Sequence, residues 1–146
     1  MTEKKLEQIV EDLFMIIPML KRKLPKAERF AEKPALNPSH HQILFMLDDL
    51  GEQSISYAVK ALGIAKTNIT PLVDKLVSEG LVDRHPHPSD RRFINICLTP
   101  LGKEYIEQIK KQLSIDFKEK LVGLGEEDLD LLMSSLSNIK DILAKL

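Results

Sequence analysis

Leu6, Ile9, Val10, Leu13, Phe14, Ile17 and Leu20 recur at three- and four-residue spacing and predict a helix over residues 4–32. Pro18 falls inside this pattern and predicts a kink, and Pro25 marks a second break. The segment from Glu32 to Pro38 reads as a linker that ends in a start signal, Asn37 as cap and Pro38 in the first turn. A second helix follows from Pro38 to Leu50, with Ile43, Leu44, Met46 and Leu47 inward, and stops at Gly51. Gln53, Ser54 and Ile55 suit a very short strand. Ser56 is the expected cap of a third helix, which carries Val59 and Leu62 and ends at Gly63. A fourth helix runs from Lys66 to Glu79 and ends at Gly80. Its inward set is Ile69, Leu72, Val73, Leu76 and Val77, which leaves Lys66, Thr67, Asn68 and Thr70 facing outward near its start.

The period then changes. Leu81 to Arg84 reads as a strand and His85 to Asp90 as a loop, whose two prolines argue against regular pairing. On the return strand Ile94, Ile96 and Leu98 alternate inward, with Phe93, Asn95 and Cys97 on the other face. Thr99 caps the next helix, with Pro100 at its first position and Tyr105, Ile106, Ile109, Leu113 and Phe117 along one side. After a break near Gly123 and Gly125, a last helix opens on Glu126, Glu127 and Asp128 and carries Leu129, Leu132, Leu136, Ile139 and Leu143.

These elements predict a mainly α fold with a small β-wing, in the order α-α-β-α-α-β-β-α-α. Two helices, a tight turn and a basic-tipped hairpin make a winged helix-turn-helix core over residues 37–99, between helical regions 1–36 and 100–146 that carry unpartnered apolar stripes. Such a core places one helix in a DNA groove with a loop beside it. The overall charge is −1, but residues 54–103 hold seven Lys/Arg against four Asp/Glu, a basic middle between acidic flanks. No apolar run approaches the roughly 18 residues needed to cross a membrane. An amphipathic segment instead of a signal peptide follows Met1, so a cytoplasmic location is expected. The single cysteine excludes an internal disulfide and a Cys-rich metal centre.

The order and spacing resemble the MarR family of bacterial transcription regulators over nearly the whole chain. The family's Asp-x-Arg, five residues, then Leu-Thr is present here as Asp90, Arg92, Leu98 and Thr99. The resemblance implies that Arg92 enters a minor groove, that Asp90 braces the wing, and that Arg91 is a second groove or phosphate contact. With Arg84 and the outward residues Lys66, Thr67, Asn68 and Thr70, these make the candidate DNA-contacting set. The resemblance also implies a homodimer built from both ends of the chain, a pseudo-palindromic operator, repression, and release by a small aromatic or amphipathic effector. The family's effector crevice, between the dimer frame and the DNA-binding lobe, would bring Met15, Met19, Arg22, His41 and Phe45 to the ligand.

Two positions depart from the family pattern. Ala65 stands where a capping serine is usual, and Pro71 where Arg or Lys is more common. They motivate an alternative, a winged-helix protein-interaction module without specific DNA binding. Cys97 lacks an activating neighbour in sequence, and the adjacent His40 and His41 do not share a helix face. No metal, no cofactor and no catalytic activity are expected, since neither a phosphate loop nor a nucleophile with its base is present. The operator, the regulated genes and the effector's identity are not written in the chain.

Overall fold

The computed structural model describes every residue except 31, 32 and 34, and all side chains of the described residues except that of Glu28. Glu32 and Pro34 of the expected linker therefore lie outside the described residues. The elements are α1 (Thr2–Lys23), a 3-10 turn (Ala27–Phe30), α2 (Pro38–Leu50), β1 (Gln53–Ser54), α3 (Ile55–Leu62), α4 (Lys66–Ser78), β2 (Val82–Pro86), β3 (Ile94–Leu98), α5 (Pro100–Leu121) and α6 (Glu126–Leu143). This is the mainly helical, small-winged order expected. No described helix is long and apolar enough to cross a membrane.

The chain divides into two compact units. One comprises Lys26–Leu113, the other Met1–Pro25 with Ser114–Leu146. The division falls inside α5 and not at Pro100, because the first half of α5 contributes Tyr105, Ile106 and Ile109 to the core of the winged lobe.

In the lobe, Ile43 and Leu44 of α2, Ala58 of α3, Ile69, Val73 and Leu76 of α4, Ile96 of β3 and Ile106 of α5 are fully buried together. Most occupy the inward positions that periodicity assigns. α2 starts where the Asn37-Pro38 signal places it. The Asn37 side chain accepts from the His40 amide at 3.1 Å, and His40 Nδ1 accepts from the Asn37 amide at 2.9 Å. This is a capping box with histidine in the position usually held by Glu or Gln. α3 starts two residues earlier than expected, capped by Ser54 and not Ser56, with the Ser54 hydroxyl accepting from the Tyr57 amide at 3.0 Å. Pairing decides between the two serines. Gln53 and Ser54 lie opposite Ile96 and Asn95 of β3, which keeps Ser54 extended and lets the helix begin at Ile55.

The sheet is antiparallel with order β1-β3-β2. β2 continues through His85 and Pro86, paired with Asn95 and Ile94, where a loop was expected. β2 is an edge strand, so a proline there need not interrupt the ladder. Asn95 is buried instead of facing solvent, because β3 is the central strand and Glu52 closes over it with a 3.0 Å hydrogen bond from Asn95 Nδ2.

Thr99 locks the end of the wing to α5. Its hydroxyl donates to Gly80 O at 2.6 Å and accepts from the Gly102 amide at 2.9 Å. Gly102 sits so close that a Cβ there would meet Leu81 O at 2.0 Å, which only glycine avoids.

In the other unit, α1 runs through Pro18 and ends at Lys23, two residues before Pro25. Lys120 Nζ donates to Lys23 O at 3.0 Å. α6 opens on Glu126, Glu127 and Asp128 as expected. Neither α1 nor α6 has a buried residue.

Candidate nucleic-acid interface

α4 presents its first turn to solvent. Lys66, Thr67, Asn68 and Thr70 are exposed, while Ile69 beside them is fully buried and sets the rotation of the helix. The Thr70 hydroxyl donates back to Lys66 O at 3.3 Å, a bond that competes with an external partner. The side chains of Lys66, Thr67 and Asn68 take no hydrogen bond or ion pair from the described residues. Ala65 holds the N-cap position and supplies no side-chain cap. The Asn68 amide donates to Ala65 O at 2.9 Å, which leaves the Lys66 and Thr67 amides open at a positive helix end suited to an anion such as phosphate. Pro71 lies inside the helix on its exposed side and withholds the amide that would bond Thr67 O.

At the wing, Asp90 and Arg92 form a closed unit. Asp90 Oδ1 accepts from the Arg92 amide and from Arg92 Nε, each at 3.0 Å, and Asp90 Oδ2 accepts from Arg92 Nη2 at 2.8 Å. This fork holds the Asp90 carboxyl below the usual carboxylate range and raises the Arg92 guanidinium further. The Arg92 side chain is still 86% exposed. Only one edge of the fork is used, so the remaining N–H groups project from a fixed direction. Arg91 is exposed next to it.

Arg84 differs from the other candidate residues. It is exposed, but its Nη1 donates to Asp74 Oδ1 at 2.6 Å, which ties β2 to α4. It holds the helix and the wing in register as well as adding positive charge.

The candidate effector residues fall in different units. Met15, Met19 and Arg22 lie on α1 and are exposed. His41 and Phe45 line an open cleft of about 680 Å³ in the lobe, together with Gln42, Met46, Leu62 and Lys110. Both His41 ring nitrogens are engaged, Nδ1 with Asn37 O and Nε2 with the Tyr105 hydroxyl, each at 3.0 Å. His41 is thus a buried strut between α2 and α5 that shows a ring edge to the cleft. Lys110 is held by Asp48 across the same two helices.

Sequence reasoning missed four contributors. Asp74 and Gly102 act through packing contacts that no local pattern reports. Glu52 and Asn95 are joined only by the sheet. Cys97 is half-buried in β3, and burial raises its thiol above the ordinary range, with the nearby Glu52 and Asp83 carboxylates adding to the shift. That is the opposite of an activated thiolate.

Residues 36–94 match the model of the MarR family. The chain is 33% identical over 100 residues to the HTH-type transcriptional repressor IacR of Pseudomonas putida, covering 68% of this chain and spanning 59% of that relative's length. It is 26% identical over 140 residues to the HTH-type transcriptional regulator MhqR of Bacillus subtilis, covering 95% of this chain and 93% of that one. Among solved structures, a mutant MarR from E. coli complexed with operator DNA aligns with a TM-score of 0.63 at 22% identity, covering 89% of this chain and 94% of that one. That likeness concerns the fold, which is the winged helix-turn-helix described above. By fold, by the family match and by its relatives, this chain belongs to the MarR family.

Proposed function

We propose that this chain is a sequence-specific DNA-binding transcription regulator that represses its targets as a homodimer. The observation that carries the reading is the pairing of two exposed elements in one lobe. α4 offers an uncapped first turn with Lys66, Thr67 and Asn68 unengaged, and the wing offers Arg92 held in a bidentate fork by Asp90. In this reading Thr67, Asn68 and Thr70 meet base edges or phosphates in the major groove, and Lys66 and the open amides meet phosphate. Arg92 enters the minor groove, where its negative potential attracts a guanidinium. Arg91 and Arg84 add to the backbone contact. The repressor sign follows the name of the Pseudomonas putida relative.

The dimer is supported by the terminal unit. Phe14 is 74% exposed, Leu131 65% and Ile142 59%, on helices that bury nothing within the chain. Exposed apolar stripes of that kind ask for a cover, and a second copy offers the same stripes by two-fold symmetry. Two recognition helices about 34 Å apart then call for a pseudo-palindromic site. The lobe cleft at His41 and Phe45 falls in the size range of a small-ligand site, and an aromatic or amphipathic effector there fits its apolar lining. Such a ligand releases DNA only if it binds the two conformations of the dimer unequally.

Fluorescence anisotropy tests the reading, with duplex from upstream of the protein's own gene against a scrambled duplex at about 150 mM salt. The expected result is a preference for the native duplex that weakens steeply with added salt. Arg92→Ala is expected to lower the affinity roughly ten- to a hundredfold. Equal, weak binding to both duplexes and to a random-duplex selection would favour an interaction module, the reading that Ala65 and Pro71 motivate.

A further inference from the structure

Three donor groups of different chemistry converge on the sheet of the lobe, and none belongs to the proposed DNA-contacting set. Glu52 precedes β1, His85 lies in β2 and Cys97 in β3. His85 pairs with Asn95, and Asp83 with Cys97, so His85 and Cys97 stand diagonally on one face of the ladder. Glu52 reaches the same place across β3. Glu52 Oε1 lies 2.7 Å from His85 Nε2, and Cys97 Sγ lies 3.9 Å from that nitrogen. One carboxylate oxygen, the imidazole nitrogen and the sulfur all fall within 4.8 Å of one another.

We propose that Glu52, His85 and Cys97 form a binding site for a borderline divalent cation, with Zn²⁺ the best match. A carboxylate oxygen, an imidazole nitrogen and a thiolate sulfur are the donor types that Zn²⁺ takes, at about 2.0–2.3 Å each. Tetrahedral angles then place N and O roughly 3.3 Å apart and S and N roughly 3.6 Å apart. The observed separations straddle those values, and the Glu52 and His85 side chains are 37% and 41% exposed, which leaves them room to adjust by small rotations.

The supporting contacts also have the form of a metal site. His85 Nε2 lies 2.7 Å from Glu52 Oε1, and a carboxylate can only accept, so Nε2–H donates to Glu52 here and a cation would take the place of that proton. Nδ1 lies 3.3 Å from Pro86 O, an acceptor placed to receive the ring hydrogen once Nε2 is a ligand. Asn95 Nδ2 donates to Glu52 Oε2 at 3.0 Å and leaves Oε1 for the cation. Asn95 is buried, and its Oδ1 has no hydrogen-bond partner among the described residues. A half-satisfied buried amide costs stability. Orienting a ligand carboxylate gives that position a purpose that packing does not.

Asp83, opposite Cys97, adds negative charge to the face that would receive a cation. Binding displaces the thiol proton of Cys97 to solvent and moves the Nε2 proton of His85 through solvent to Nδ1, and a solvent water fills the fourth position. One ion would then join the segment before β1 to both strands of the wing whose tip carries Arg91 and Arg92. The inference does not rest on the DNA-binding reading, since no DNA enters it.

The test is a Co²⁺ titration of the reduced full-length protein, followed by absorption. The proposal expects a single-site isotherm with a thiolate-to-cobalt charge-transfer band in the near ultraviolet and strong visible bands of tetrahedral Co²⁺, both erased by Zn²⁺. Cys97→Ser should abolish the charge-transfer band. His85→Gln and Glu52→Gln should each weaken binding roughly tenfold or more. Glu52→Gln keeps an acceptor for Asn95, so it separates loss of a ligand from loss of the fold, which circular dichroism monitors. A charge-transfer band that persists at unchanged affinity in both Gln variants would overturn the site, as would its absence at saturating Co²⁺.

Discussion

α2 and α1 carry the same kind of apolar stripe and meet opposite fates. α2 spans 13 residues and buries six of them, His40, His41, Ile43, Leu44, Met46 and Leu47. α1 spans 22 residues and buries none, although Leu6, Ile9, Leu13, Phe14 and Ile17 follow the helical period. Periodicity reports which face of a helix is apolar, and it is silent on what covers that face. The winged lobe closes its own core from α2, α3, α4, the sheet and the first half of α5. The terminal helices leave theirs open, and in the proposed function that opening is where the second copy binds.

Charging the open stripe tests the difference with the largest expected effect. Leu13→Asp combined with Ile139→Asp should raise the dimer dissociation constant by at least about a hundredfold, since each buried interface would then hold unpaired carboxylates. Sedimentation velocity should show a protomer-sized species, while circular dichroism of the lobe is unchanged. A dimer that survives both substitutions would place the assembly surface elsewhere.

Truncating the closed core should act on folding instead. Ile106→Ala is expected to destabilise the lobe by about 2–5 kcal/mol through loss of burial and the cavity left behind. The urea midpoint reads this out. Most of the loss should persist when protein concentration is varied tenfold, whereas the effect of charging the terminal stripe should follow concentration.

The smallest expected effect is a pH dependence at the start of α2. Burial lowers the His40 pKa below 6.5, helped by the positive charges of His41 and Lys75. The neutral ring is the form whose Nδ1 accepts the Asn37 amide. The unfolded chain therefore takes up this proton at higher pH than the folded one. The contribution of His40 to stability is complete above its ordinary pKa of 6.5 and declines as pH falls below it toward the lowered folded value. Melting temperatures between about pH 7.5 and 5 should show that decline. His40→Gln, which keeps the capping box, should flatten it. An unchanged slope would remove His40 from the explanation.

Much of the lobe was legible because its signals are local. Asn37 with Pro38, Gly51, Gly63, Gly80, and Thr99 with Pro100 each act on the backbone beside them, and each ends or begins an element where the sequence places it. What escaped depends on partners distant in the chain. Ser54 caps α3 in place of Ser56 because β1 pairs with β3. Pro86 remains in a strand because that strand lies at an edge. Asn95 is buried because its strand is central and Glu52 closes over it. Arg84 reads as a free cation until Asp74 is brought beside it. The same register gathers Glu52, His85 and Cys97, which lie too far apart in sequence to form a motif. The candidate contact residues of α4 and the wing were legible as outward positions on predicted elements, and the Asp90–Arg92 fork gives their arrangement a geometry.

The most direct test of the central claim is sedimentation of the full-length chain with a labelled duplex from upstream of its own gene, followed at separate protein and DNA wavelengths. The account predicts a complex of two protomers on one duplex that disappears with Arg92→Ala, while the free protein remains a dimer. A protomer-sized species sedimenting clear of the duplex would contradict both halves of the claim, the covered terminal stripe and the DNA-reading lobe.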